Sequence, residues 1–111
     1  MTMETLWANR PTLIWEERLN EGDDIYTLPA ILAVDAALRQ YANTLTRSDK
    51  SEASVLAAVR DLVLRLNELD EEHDYFIETM EREELYDFIV AAAALVGYET
   101  DDDVTEEWRE W

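Results

Sequence analysis

Between residues 52 and 69 the apolar side chains fall at helical spacing and at no other. Val55, Val59, Leu62, Leu66 and Leu69 recur four and three residues apart, and Leu56 and Val63 widen the stripe. A period near 3.6 places these residues on one side of a helix, a face wide enough to need a partner. Arg60, Asp61, Arg65 and Glu68 fall outside it. A chain with such a segment buries it against other helices, so the first expectation is a helix from about Ser51 to Leu69 inside an all-α bundle.

The rest of the chain is punctuated in keeping with this. It has only two Gly and two Pro in 111 residues. A sandwich or barrel needs a turn about every ten residues, whereas long helices with short loops need few breakers. Pro11 suits a first helical turn and Gly22 a position just past a helix end, so residues 11–20 read as a short helix. The β-forming run Thr12–Trp15 leaves a hairpin in residues 1–26 as the alternative. Thr27 is a good N-cap, with Pro29 just inside the next helix, which runs to about Thr46. Its apolar face is read as Leu28, Ile31, Leu32, Leu38, Tyr41 and Leu45, with alanines and Val34 between. Residues 75–96 form one long helix, or two broken near Thr79, ended by Gly97. A leader, 1–10, contributes at most a helical turn around Leu6 and Trp7. Residues 104–111 read as a short C-terminal helix, capped by Asp103 or Thr105, with Trp108 and Trp111 on one face. The expectation is a single domain, 1–111, of four to five helices, with residues 51–69 and 75–96 as the central antiparallel pair.

Charge separates the chain into two parts. The net charge is −18, from 27 Asp and Glu against nine Lys and Arg. Residues 68–111 hold seventeen of the acids and only two bases, Arg82 and Arg109. Such a surface repels nucleic acid and anionic membranes and attracts basic proteins. No apolar run approaches the roughly 20 residues of a membrane span. No basic-then-apolar leader opens the chain, and there is no cysteine, which excludes disulfides and thiolate sites. A cytoplasmic protein is expected.

Motifs that carry chemistry are scarce. His73 is the single histidine, sits among Glu71, Glu72 and Asp74, and reads as a surface residue at a helix junction. Asp101–Asp103 opens no EF-hand loop, because the sixth position, Glu106, would have to be Gly. The one enzymatic pattern is Glu68-x-x-Glu71 followed by Glu84-x-x-Asp87. Paired carboxylates one turn apart on two antiparallel helices can hold Mg²⁺. These four residues resemble the motif of the all-helical nucleotide pyrophosphohydrolases of the MazG type. The resemblance, confined to them, implies a Mg²⁺-dependent hydrolase.

The favoured expectation is different: a non-enzymatic acidic inhibitor of the immunity-protein, antitoxin or nucleic-acid-mimic type. It needs no cofactor and docks a basic protein, such as a toxin or a nucleic-acid-binding protein. Glu78, Glu81, Glu83, Glu84 and Asp87 would form its charged rim. Trp108 and Trp111 are the expected anchors, since Trp is enriched where interfaces are strongest. A bundle that merely oligomerises is the third reading.

Overall fold

The computed structural model describes residues Met1–Trp111. It contains no strand and five helices: α1 (Met3–Ala8), α2 (Pro11–Asn20), α3 (Leu28–Arg47), α4 (Glu52–Glu72) and α5 (Thr79–Leu95). The expected all-α bundle is therefore what forms, and residues 1–26 hold two helices rather than a hairpin.

Local chemistry sets most boundaries. The hydroxyls of Thr2, Thr27 and Ser51 accept the N–H groups of Thr5, Ala30 and Ser54, satisfying donors that α1, α3 and α4 would leave unpaired. Both glycines lie just past a helix end with positive φ. Gly22 and Asp23 donate to the carbonyls of Leu19 and Arg18, and Gly97 and Tyr98 to those of Ala94 and Ala93. These are Schellman closures, which require a left-handed residue. α4 ends similarly but without glycine. Asp74 takes φ 65° and Tyr75 φ 56°, and the Tyr75 N–H reaches the Asp70 carbonyl at 2.7 Å.

The central helix is α3, not one of the two expected. It packs most extensively on α4 and also touches α2 and α5, while α5 lies chiefly on α1 and α2. The junction His73–Glu78 explains this. The left-handed pair Asp74–Tyr75 turns the chain sharply, and Phe76 and Ile77 are buried within the junction. The buried carboxylate of Asp70 accepts the Ile77 N–H at 2.9 Å. A chain redirected in this way carries α5 past α4 instead of folding it back along it.

One apolar core holds the helices together. Leu62, Leu66, Phe88 and Ile89 are buried in it, as expected, and Leu95 is half-buried at its margin. On α3 the buried register is Ile31, Val34, Leu38, Tyr41 and Leu45, a regular alternation of three and four. These were all expected on its apolar face; Leu28 and Leu32, also expected there, fall off that line and are 49% and 59% exposed. Tyr41 brings a polar group into this buried register of α3 and donates to the Ile89 carbonyl at 2.7 Å, which ties α3 to α5. Burial raises the Tyr41 hydroxyl above its usual range. It therefore stays a donor.

Candidate functional site

The densest polar arrangement in the molecule joins α2, the loop before α3, and the first two turns of α5. Trp15 is fully buried, stacked on Tyr26 at 5.8 Å and edge-on to Phe76 at 5.9 Å. A buried indole N–H needs an acceptor. It finds Glu84 Oε1 at 3.1 Å. Arg18 follows one turn later on α2. It donates Nη1 to Glu84 Oε1 at 2.9 Å and Nη2 to Glu84 Oε2 at 2.7 Å. Its Nη1 also donates to the Tyr26 hydroxyl at 3.0 Å, and that hydroxyl donates to Glu81 Oε2 at 2.6 Å. The other oxygen of Glu81 accepts the Glu78 N–H at 3.0 Å, the return half of a capping box at the start of α5. Burial, and then the bond to Glu81, raise the Tyr26 hydroxyl, while the Glu84 carboxylate raises the Arg18 guanidinium despite its partial burial. Tyr26 thus remains a proton donor and Arg18 a cation.

This network corrects the acidic rim read from the sequence. Glu81 is 3% exposed and shares the buried register of Leu85, Phe88, Ile89 and Ala92. Glu84 is half-buried and committed to Arg18 and Trp15. Both carboxylates are engaged within the chain. Glu78, Glu83 and Asp87 are exposed, and their carboxylates form no ion pair within the chain. The sequence held a signal for the inward pair: Trp15, Arg18 and Tyr26 carry three polar tips that need acceptors if their apolar bodies are buried. Those residues complete the site and were missed as its members.

The Mg²⁺ arrangement does not form. Nowhere do three or more His, Asp or Glu side chains gather so as to hold a metal ion. α4 and α5 are not packed side by side, so Glu68 and Glu71 on one cannot converge with Glu84 and Asp87 on the other. Glu68 instead pairs with Arg65 at 3.1 Å, and Glu84 with Arg18. The four carboxylates of the MazG-type pattern therefore do not form a metal site. Comparison with family models, curated proteins and solved structures finds no match to this chain.

The terminal tryptophans are placed differently from the expected anchors. No C-terminal helix forms; Val104–Trp108 is a turn. Asp103 begins it, accepting the N–H and hydroxyl of Thr105 and the guanidinium of Arg109. Burial raises the Asp103 carboxyl, but these donors together hold it below the usual range. Beyond the turn, Asn67 of α4 grips the backbone from both sides. Its Nδ2 donates to the Trp108 carbonyl at 2.8 Å, and its Oδ1 accepts the Glu110 N–H at 3.0 Å. Trp108 and Trp111 are half-buried against the core, and the buried indole N–H of Trp111 meets no acceptor. The pair ties the chain end down.

Two cations gather around Trp7. Trp7 lies between the guanidiniums of Arg10 and Arg39, at 4.4 and 4.6 Å, and meets Phe88 edge-on. Arg10 also pairs with Asp35 at 2.6 Å, an acceptor it shares with the Thr12 hydroxyl. These contacts anchor α1 and the start of α2 to α3 and α5.

Proposed function

We propose that this chain is a non-enzymatic binding protein that docks a basic protein partner through the outer edge of α5. The observation that carries the reading is the division of the α5 carboxylates. Glu81 and Glu84 face inward and fix the helix to α2, whereas Glu78, Glu83 and Asp87 are exposed and unpaired. The internal pair fixes the helix backbone from which the outer three carboxylates project. Like charge held on one fixed helix steers an oppositely charged partner. An inhibitor of the immunity-protein, antitoxin or nucleic-acid-mimic type, sharing the cytoplasm with a basic target, acts in this way.

The reading is tested by capture from the native host at low ionic strength. The wild-type chain is compared with a Glu78→Gln, Glu83→Gln, Asp87→Asn variant and with a control neutralised at Glu52, Glu106 and Glu107, exposed positions elsewhere. A basic protein retained by wild type and control, released by salt and lost with the α5 variant supports it. Retention that ignores the α5 substitutions overturns it.

A further inference from the structure

α2 and α5 run antiparallel, and the Arg18–Glu84 pair bridges them. On either side of that bridge the surface is depressed. One depression, about 660 Å³, has Ile25, Tyr26 and Met80 as apolar walls and Glu78 and Glu83 at its edge. The other, about 320 Å³, is floored by Leu6, Pro11 and Phe88, with Ile14 and Ala91 beside it and Asp87 at its edge. Ile14 is 41% exposed and Met80 55%, among the most exposed large apolar residues of the chain. Both therefore stand in water beside unpaired carboxylates.

From the docking reading above, on which this step rests, and from this seam, we infer that the α2–α5 groove receives a basic amphipathic helix. Met80 and Ala91 are eleven residues apart on α5, about 16 Å at 1.5 Å per residue, which is three turns of helix. An incoming helix with apolar residues at i, i+4, i+7 and i+11 spans that distance and places one end in each depression. Its Lys or Arg flanks then meet Glu78, Glu83 and Asp87. Charge selects the partner class: an acidic or neutral helix would leave these carboxylates facing like charge or losing water without compensation. The groove thus takes over the anchoring role first assigned to Trp108 and Trp111.

The test uses the full chain and a fluorescent synthetic peptide of Leu, Lys and Ala, about 18 residues or five turns long, with Leu at the stated spacing. A second peptide has the same composition with the spacing scrambled. Fluorescence anisotropy at low ionic strength reads both affinities against wild type, Ile14→Ser, Met80→Ser and Leu32→Ser, the last exposed on α3. The expected result is binding of the ordered peptide about tenfold tighter than of the scrambled one. Ile14→Ser and Met80→Ser should each weaken it roughly tenfold, with no effect of Leu32→Ser. Equal binding of both peptides, or an equal loss with Leu32→Ser, overturns the groove while leaving charge-driven docking standing. Failure of both peptides to bind overturns the groove and the docking reading together.

Discussion

Arg18 grips both oxygens of Glu84, 66 residues away in sequence, at 2.9 and 2.7 Å, and the same carboxylate accepts the indole N–H of Trp15. About a fifth to a quarter of each charged side chain still reaches solvent. Truncation at Glu84 leaves the buried indole N–H of Trp15 without an acceptor and takes from Arg18 its bidentate partner, leaving it the Tyr26 hydroxyl and the more distant Glu81 at 3.6 Å. Glu84→Ala should therefore cost about 2–3 kcal/mol, below the loss for a fully buried pair. Glu83→Ala, one residue earlier and exposed, should stay within roughly 0.5 kcal/mol of wild type. Urea unfolding of the two variants checks the contrast, and equal losses would show that the network holds nothing.

Asp70 predicts a pH dependence of definite sign. Burial raises its carboxyl, only partly opposed by the Ile77 N–H that it accepts. In the unfolded chain it is an ordinary aspartate. Between the unfolded value and the raised folded one, the folded state binds more protons, so this group's contribution to stability falls as pH rises through that window. Above the window the cost of the buried charge is fully present. Asp70→Asn keeps an oxygen for Ile77 and removes the charge. It should raise the melting temperature at neutral pH, and the advantage over wild type should close as pH falls through the window. A difference that widens on acidification would contradict the burial argument.

The end of α4 offers a backbone test. Asp74 holds φ 65° where α2 and α5 place Gly22 and Gly97. A left-handed residue with a Cβ costs about 1–2 kcal/mol, less for Asp, and glycine's larger unfolded-state entropy offsets part of any gain. Asp74→Gly should stabilise by roughly 0.5 kcal/mol. Gly97→Ala should destabilise by about 1 kcal/mol through φ alone, since a Cβ there meets no atom within 4 Å. Thermal unfolding of both variants measures the pair, and opposite signs are required.

These three tests divide along what the sequence could and could not reveal. Helix ends were legible because capping is local: Thr27, Ser51, Gly22 and Gly97 act within a few residues of themselves. The α4 stripe was legible because its period is its own. The pairing of helices was not, since it depends on how Asp74 and Tyr75 turn the chain, and neither is a glycine that would have announced a left-handed turn. Glu81 and Glu84 looked like part of a solvated acidic face because the donors they accept from, Arg18, Trp15 and Tyr26, lie far off in sequence. The 81, 85, 88, 92 register was the signal that Glu81 faces inward. Residues 104–111 had a cap and an amphipathic pattern, but the chain stops at a turn over 104–108, and Asn67, 41 and 43 residues away, takes the Trp108 carbonyl and the Glu110 N–H, a long-range capture that no local pattern announces.

Asn67 therefore predicts where the chain opens first. Its two bonds to the backbone of Trp108 and Glu110 are removed in Asn67→Ala. Amide exchange should rise across residues 104–111 while the α3–α4 pair keeps its protection, with a global loss of about 1 kcal/mol. Exchange that rises equally throughout would mean that the segment is part of the core and not a tethered end.

Salt separates folding from docking. Seventeen of the 27 carboxylates lie in residues 68–111, with Arg82 and Arg109 as the only bases there. Of those seventeen, only Glu68, Glu81, Glu84 and Asp103 have an ion-pair partner. The rest repel one another, and repulsion between exposed charges is screened beyond a Debye length of about 10 Å at 0.1 M and 3 Å at 1 M. Added salt should therefore raise the melting temperature steadily, most steeply at low ionic strength, and neutralising Glu78, Glu83 and Asp87 together should raise it at low salt and flatten the curve. Partner association should respond in the opposite direction, slowing as salt rises and slowing with the same three substitutions. One set of variants thus gains stability and loses binding if the outer row of α5 is a docking edge. A set that gains stability with no change in association rate would mark the row as charge that the fold tolerates and no partner reads.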